Sequence, residues 1–210
     1  MAKFNIFLIV ILLLLIIKVE AQPFEGEVIY ENSYTSKIPS ISSEELSNMM
    51  GTTYEYYIKN DKYKSVTNGN FAQMQVYIPS ENRLYSKLSV SDTLHWSDGN
   101  NNMDEAISYE IKKNQAEILG YKCNALIVLT KTGKSTYYFS KKIKVDPELY
   151  KNHRYGNWNL IMAQTKSLPL KIETEKPQFT MVSTAVEITE MELEDSFFIL
   201  PNVPIKKSPY

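Results

Sequence analysis

After residue 25, the chain is a succession of short runs in which apolar and polar residues alternate, with polar turns between them. Alternation with this much tyrosine and β-branched side chain predicts half-buried β-strands. Hairpin turns are predicted at 59–62, 67–70, 97–100 and 131–134. The pattern predicts a mainly β fold, a curled antiparallel sheet of the kind seen in sandwiches and barrels. The runs read GEVIYENSY, TTYEYYIK, KYKSVT, NFAQMQVYIP, NRLYSKLS, TLHWSD, SYEIKK, AEILGYKCNALIVLT, KSTYYFSKK, LPLKIETE, FTMVSTAVEITEMEL and FFILP.

Two segments break the alternation and predict two short helices that cover the sheet. In SISSEELSNMMG, Ser42 or Ser43 is a candidate N-cap and Gly51 a stop. In DPELYKNHRYG, an aspartate before Pro147 favours a helix start, and Gly156 ends the segment. We find neither an internal repeat nor a low-complexity linker, so the sequence predicts one domain.

The N-terminus has the layout of a secretory signal peptide. Lys3 gives a positive start, an apolar run follows from Phe4 to Ile17, and small residues lead up to a cleavage site after Ala21. An uncleaved membrane anchor is the alternative, but the run is shorter than the roughly 20 residues that cross a bilayer. We therefore expect export and cleavage.

The sequence predicts three parts along the chain. We expect residues 1–21 to be the leader, 22–201 a folded domain and 202–210 a flexible C-terminal tail. No later segment is apolar enough to predict a transmembrane helix. The sequence contains no Asn-x-Ser/Thr acceptor, which fits the periplasm or exterior of a Gram-negative bacterium better than a eukaryotic secretory route.

The chain contains one cysteine, so an internal disulfide is excluded and packing must stabilise the fold. Side chains two apart share a strand face, which places Cys123 on the more apolar side with Leu119, Tyr121, Ala125, Ile127 and Leu129. No basic partner is near in sequence, so a buried small side chain is favoured over a reactive thiol. Gly120, inside the same run, predicts a bulge or bend of the sheet.

Evidence for an active site is scarce in the sequence. His95 is expected on a strand surface and His153 as a cation near a helix end, and two scattered histidines do not form a zinc motif. The stretch 132–136, TGKST, lacks the first glycine of a phosphate-binding loop and lies in a predicted hairpin. We expect a protein that is not an enzyme, with no metal site and no cofactor.

Charge along the chain is uneven, although 23 basic and 24 acidic residues nearly balance. Residues 131–154 are mostly basic and residues 173–195 mostly acidic. These stretches are either solvated strand faces or a surface for a protein partner of the cell envelope. Nucleic-acid binding has little support, given the export signal and the slightly acidic balance.

One face of the predicted sheet collects tyrosine, methionine and aliphatic side chains. If that face is concave and loosely covered, it lines an apolar cavity with polar tyrosine tips; if helices pack tightly on it, it is simply core. The alternation does not decide which face is concave. The candidate lining residues are Tyr54, Tyr56, Ile58, Met74, Val76, Leu119, Tyr121 and Ile127.

The order of several motifs resembles a known group of exported proteins of unknown function, related to the GLPGLI family and common in Bacteroidota. The motifs are FEGEVIY, ILGYKCNALIV, STYYFSKKIKVDP, SLPLKIE, TMVSTAVEI and FFILP. The name-giving hexapeptide reads SLPLKI here, so Leu168, Pro169 and Ile172 are retained. The resemblance covers about Phe24 to Pro201. It implies a LolA-like architecture, an incomplete barrel whose mouth is covered by helices, as in periplasmic lipoprotein carriers.

Two functional interpretations follow. In the first, a periplasmic half-barrel binds an apolar ligand, such as a lipid, an acyl chain or a lipoprotein. In the second, the core is solid and the protein is an envelope interaction module that meets its partner through the basic region 131–154 or a sheet edge.

Overall fold

The computed structural model describes residues 22–209, so the expected leader peptide lies outside the described residues. The strands are β1 Gly26–Ser36, β2 Thr53–Lys59, β3 Lys62–Thr67, β4 Ala72–Ile78, β5 Arg83–Leu88, β6 Leu94–Asp98, β7 Ala106–Ile118, β8 Tyr121–Thr130, β9 Lys134–Lys144, β10 Ser167–Glu175, β11 Phe179–Glu190 and β12 Ile205–Lys207. The helices are α1 Ser43–Met50 and α2 Trp158–Thr165, with 3-10 turns at Pro147–Tyr150, Tyr155–Asn157 and Asp195–Phe198.

All twelve strands form one sheet in the order β12-β6-β5-β4-β3-β2-β1-β11-β10-β9-β8-β7. Every pairing is antiparallel except that of β12 with β6. The predicted mainly β fold with a curled antiparallel sheet is confirmed. Within the described part of the chain, no helix is long and apolar enough to cross a membrane.

The link between β6 and β7 shows how strongly the sheet curls. The two strands lie near opposite ends of the sheet, ten strand spacings apart, yet Ala106 follows Asp98 by only eight positions along the chain. A flat sheet would place them about 48 Å apart, at 4.8 Å per spacing. Eight extended residues reach at most about 29 Å. The two ends therefore curl toward each other, and the hairpin predicted at 97–100 is wrong because the chain crosses there to the far end.

The curled sheet encloses a single core on its concave face. Side chains from β1 to β5 and from β8 to β10 belong to one buried cluster. α2 lies inside the curl, where Ile161 and Met162 are buried. Because both halves of the sheet and α2 share this core, the architecture is a half-barrel with its interior covered by the segment 146–165.

The helix predicted near residue 42 is confirmed. The Ser42 hydroxyl accepts a hydrogen bond from the backbone N–H of Glu45, whose carboxylate accepts one from the Ser42 N–H. This capping box fixes the start of α1, and Gly51 ends it with a φ of 90°.

The second predicted helix is shorter than expected. Asp146 does cap a start at Pro147, but only a 3-10 turn forms. The true second helix, α2, follows Gly156 and Asn157, both at a φ of 62°. It was missed because its sequence, WNLIMAQT, is apolar on most sides, so no periodicity marks it; Asn157, at its N-cap position, makes no capping hydrogen bond.

The run AEILGYKC is a hairpin rather than one strand. Leu119 and Gly120 have φ angles of 50° and 76° and form the two-residue turn between β7 and β8. Two left-handed residues are what a type I′ turn requires, and Gly120 supplies one of them without strain. The expectation that Gly120 marks a bend inside a strand is therefore wrong; the bulge lies at Asn114, in β7.

The face assignment along β8 is only half right. Cys123 is buried in the core, as expected, at 1% exposure. Farther along the strand, however, Leu126 and Val128 belong to the core, whereas Leu129 is exposed. Strict alternation fails between Ala125 and Leu126, which are both buried, next to the point where β7 bulges opposite Asn124.

The segment expected to be a flexible tail contains β12. Residues 205–207 pair with β6, and the Ser208 N–H donates to the carbonyl of Trp96. The approach to β12 is fixed on the outer face of the sheet, where the Lys59 ammonium donates to the Leu193 carbonyl. Tertiary contacts of the preceding residues hold the tail in place, and no local pattern in the sequence announces them.

Candidate functional site

A cavity of about 330 Å³ lies on the concave side of the sheet. It is bounded by β1 to β4, by β10 and β11, by the end of α1 and by the first residue of α2. Its lining residues are Tyr30, Asn32, Tyr34, Met50, Tyr54, Tyr56, Tyr63, Ser65, Thr67, Met74, Gln75, Trp158, Leu168, Pro169, Ile172, Met181 and Ser183. The volume falls at the lower end of the range for small-molecule sites, about 300 to 1,000 Å³.

Small side chains keep this part of the concave face open. On β3 the inward positions are Tyr63, Ser65 and Thr67, so the side chains shrink from the core toward the cavity. On β11, Ser183 occupies an inward position opposite Asn32 of β1. Alternation places these residues inward, and their small size leaves the space that larger side chains fill deeper in the core.

The cavity wall carries no net charge. None of its described lining residues is an aspartate, glutamate, lysine, arginine or histidine. The surface is instead built from aromatic, methionine and aliphatic side chains, interrupted by hydroxyl and amide groups. Such a surface favours an uncharged or hydrocarbon guest, because a buried charge needs a partner that this wall does not supply.

Some polar groups on the cavity wall have a hydrogen-bond partner within the protein, and others have none. The Tyr30 hydroxyl donates a 2.7 Å hydrogen bond to the Pro169 carbonyl and is fixed by it. The Tyr56 hydroxyl and the Trp158 indole N–H are both buried and have no hydrogen-bond partner. Asn32 Oδ1 is a third buried wall atom without a partner, although buried polar groups are nearly always paired.

A stack of aromatic rings forms the closed end of the cavity. Tyr54, Tyr56, Tyr63 and Tyr77 follow one another with ring centroids 5.2 to 6.2 Å apart. His153 continues the stack, 3.9 Å from the Tyr77 ring. Burial raises the pKa of the Tyr56 and Tyr63 hydroxyls well above the ordinary value, so both stay neutral and can donate hydrogen bonds.

His153 is not the cation near a helix end that the sequence predicted. It is 1% exposed, and its Nε2 atom lies 2.7 Å from the Tyr63 hydroxyl. Burial lowers the pKa of His153 to about 3, because a charged imidazole would lose its hydration. The residue is therefore a neutral structural element of the aromatic stack. His95 is half-buried on β6, two strands from β4 in the sheet, and does not belong to this stack.

Three of the eight candidate lining residues lie along the cavity: Tyr54, Tyr56 and Met74. Met74 reaches it beside a register shift of β4 against β5, although the neighbouring Gln75 and Tyr77 mark the inward parity of β4. Ile58 shares the inward face of β2 but is buried in the solid part of the core.

The other four candidates do not reach the cavity. Val76 points to the outer face, where its cross-strand partner Lys64 lies over the Phe197 ring. Leu119 is in the β7–β8 turn, and Ile127 is on the face opposite Leu126. Tyr121 packs against the far end of the core. A parity error explains Val76 and Ile127, since a one-residue shift moves a side chain to the other face of a sheet.

Several cavity residues were missed by sequence reasoning. Trp158 comes from the unexpected helix α2, and Met50 from the end of α1. Leu168 and Pro169 follow α2 directly at the start of β10, where the backbone register shifts twice. The retained Leu168, Pro169 and Ile172 of the SLPLKI motif all face the cavity, and that motif was the one signal that could have located this wall.

The single cysteine is remote from this site. The Cys123 thiol donates to the carbonyl of Tyr121 at 3.3 Å, and burial raises its pKa. Among residues 22–209, no group of three histidine, cysteine or acidic side chains is placed to hold a metal ion.

No family model matches the sequence, and no curated protein matches it significantly. Two structures of PNGF-II, in space groups P21 and C2, each superpose with a TM-score of 0.52, at 12% and 15% identity. The matches cover 88% of this chain but only 32% and 31% of PNGF-II, so the chain spans about a third of that protein. At these identities the likeness concerns the fold alone.

The lipoprotein LppX of Mycobacterium tuberculosis superposes with a TM-score of 0.32 at 11% identity. That match covers 80% of this chain and 90% of LppX. The superposition is too distant to carry an argument about function.

Proposed function

We propose that this is an exported, non-enzymatic binding protein whose half-barrel cavity holds an apolar ligand or the acyl chain of a lipid or lipoprotein. The observation that carries the proposal is the cavity itself, about 330 Å³ of uncharged, largely apolar space inside the curl. A solid interior was the alternative expectation, and the small inward side chains at Ser65 and Ser183 work against it.

Binding would rest on burial of hydrocarbon. Each CH₂ group removed from water contributes about 0.8 kcal/mol before the costs of association. At the roughly 30 Å³ that liquid water occupies per molecule, the cavity has room for on the order of ten heavy atoms. That size fits one short chain or the end of a longer one, with the remainder extending past Met50 and α1.

The cellular setting of the proposal comes from the N-terminal sequence and the GLPGLI resemblance. The leader pattern at 1–21 predicts export, and the ordered motifs imply a LolA-like carrier architecture. Carrier activity itself would be an analogy at the level of the fold. We therefore propose ligand binding as the function.

Native mass spectrometry of protein purified from the periplasm of a Gram-negative host tests this proposal. We expect a co-purified lipid or acyl-chain adduct on the wild type. Ser183→Phe should fill the cavity and remove the adduct. Val186→Phe, on the same strand at a position 41% exposed, should keep it. Wild-type protein without any adduct, and without binding of added short-chain amphiphiles, would contradict ligand binding.

A second candidate function, contact with a protein of the cell envelope, is favoured by one observation. β7 forms an edge of the sheet, and it exposes Tyr109 and Ile111 at 48% and 44%. These two residues lie opposite the core residues Val128 and Leu126 of β8, so they extend the apolar face beyond the sheet edge. An extended segment of a partner could add to this edge as a further strand.

Site-specific photocrosslinking distinguishes this second candidate. A crosslinker at Tyr109 should capture a discrete envelope protein, whereas one at Val90, which is 76% exposed but outside the β7 edge, should not. Equal labelling from both positions would argue against a docking edge.

A further inference from the structure

Three buried polar atoms of the described cavity-lining residues have no hydrogen-bond partner: the acceptor Asn32 Oδ1, and two donors that restrict the chemistry of the ligand. The Tyr56 hydroxyl and the Trp158 indole N–H are buried without a partner, while the neighbouring Tyr30 and Tyr63 hydroxyls are both bonded within the protein. Tyr56 itself is 6% exposed. An indole N–H can only donate, and a neutral tyrosine hydroxyl can donate as well.

These two groups border the same part of the cavity. The rings of Tyr56 and Trp158 lie 6.4 Å apart, and both contact the ring of Tyr63. Trp158 approaches from α2 and Tyr56 from β2, so the pair bridges the covering segment and the sheet. Both donors therefore belong to neighbouring side chains on one wall of the cavity.

The electrostatics of the wall exclude a charged head group at this position. No acidic or basic side chain is present among the described lining residues. A carboxylate would find two neutral donors but no cation, and an ammonium would find no anion. Burial of either ion without a counter-charge is strongly unfavourable compared with burial of a neutral ester, ketone or alcohol.

We propose that the cavity selects an uncharged amphiphile whose oxygen atom, of an alcohol, ketone or ester, accepts hydrogen bonds from Trp158 Nε1 and the Tyr56 hydroxyl. This inference rests on the proposed function, because it names the ligand class of the same cavity. The hydrocarbon part packs against Leu168, Ile172 and Met181. Free fatty acids and cationic amphiphiles are discriminated against by the missing counter-charges.

Isothermal titration calorimetry at pH 8 tests whether the cavity discriminates against charged ligands, with three probes that share a ten-carbon chain. The probes are 1-decanol below its aqueous solubility, and decanoate and decyltrimethylammonium below their critical micelle concentrations. We expect 1-decanol to bind the wild-type protein at least about tenfold more tightly than either ion, from the cost of burying an unpaired charge. Decanoate or decyltrimethylammonium binding as tightly as 1-decanol would overturn the proposal.

Two conservative variants test the hydrogen bonds. Trp158→Phe and Tyr56→Phe keep an aromatic ring and remove one donor each. Each should weaken 1-decanol binding by about five- to tenfold, the usual worth of one hydrogen bond, and leave butylbenzene, which has no acceptor, within about twofold. Tyr57→Phe, on the outer face of β2, is the matched control and should change neither.

The possible outcomes separate this inference from the function on which it rests. Equal weakening of both probes in Trp158→Phe and Tyr56→Phe, or no weakening in either, would overturn the donor roles while ligand binding stands. Failure of every probe, butylbenzene included, to bind the wild type would defeat the proposed function as well. If one variant does not fold, the other variant and the wild-type probe series still decide the result.

Discussion

The Tyr63 hydroxyl and Nε2 of His153 lie 2.7 Å apart in the buried aromatic stack beside the cavity. Because burial lowers the His153 pKa, the ring is neutral, and the imidazole tautomer decides which of the two partners donates. This contact joins β3 to the covering segment. Since Tyr63 also lines the cavity, the same hydrogen bond helps to fix the cavity wall.

The free energy of unfolding should decrease as the pH is lowered, and part of this decrease should come from His153. The pKa is about 3 in the folded protein and 6.5 in an unfolded chain, so between these values the unfolded state binds the extra proton. Stability from this residue is therefore present above pH 6.5 and is lost as the pH falls toward 3. The slope contributed by His153 reaches at most about 1.4 kcal/mol per pH unit.

Urea unfolding from pH 7.5 to pH 4 measures this slope. His153→Phe keeps a ring against Tyr77 and should flatten the curve relative to the wild type. Tyr63→Phe removes the hydrogen bond but leaves the histidine buried, so its curve should keep the wild-type slope at a lower stability. If the free energy of unfolding changed with pH in the same way for the wild type and His153→Phe, the titration of His153 would be ruled out as a cause.

Asp104 should hold the crossing loop in place. Its carboxylate accepts from the Lys176 ammonium at 2.5 Å, the Thr130 hydroxyl at 2.7 Å and the Thr132 N–H at 3.1 Å. Burial alone would raise the pKa of Asp104, but these hydrogen bonds hold it well below its ordinary value. The loop from β6 is thereby tied to the turns after β8 and β10.

Asp104→Asn should lower the free energy of unfolding at pH 7 by about 1–3 kcal/mol, the range for hydrogen bonds to a charged group. Glu105→Gln is the control, since the Glu105 side chain is 65% exposed and its contact to Arg154 is 3.5 Å long. The wild-type advantage over Asp104→Asn should shrink in acid, as the pH falls through the lowered pKa. Equal losses in both variants would contradict a special role for Asp104.

Leu119 occupies a left-handed position that its side chain disfavours. At a φ of 50° beside Gly120, the turn would suit an Asn-Gly pair. Leu119→Asn should therefore raise the free energy of unfolding by about 0.5–1 kcal/mol, since asparagine tolerates this conformation better. Leu129→Asn removes a similarly exposed leucine from β8 and should not stabilise. Differential scanning calorimetry measures both, and a lower Tm for Leu119→Asn would refute the argument.

Cys123 should be unreactive while the protein is folded. Its thiol is buried, and burial raises its pKa, so both access and the thiolate fraction are low. Labelling with a disulfide reagent at pH 8 should be at least about a hundredfold slower in buffer than in denaturing urea, because it requires opening of the fold. Val90→Cys in a Cys123→Ala background should label rapidly without denaturant. Fast labelling of native Cys123 would show that its surroundings open readily.

Local chemistry in the sequence determined most elements and their ends. The capping box at Ser42 and Glu45 fixed α1, and the turns at Asn60 and Gly133 fixed hairpins, because these signals act within a few residues. The inward face of β2 was also predictable, and with it Tyr54 and Tyr56, since alternation is regular there.

Tertiary structure alone decided the parts that depend on distant residues. Pairing with neighbouring strands decided the parity along β4 and β8 and placed Val76 and Ile127 on the outer face. The sequence by itself determined a curled antiparallel sheet rich in tyrosine, because the alternation and the turn signals that predict it act within a few residues. Packing between segments about a hundred residues apart decided which face became concave. The same packing placed Trp158 of α2 over that face, and no local pattern in the sequence encodes such contacts.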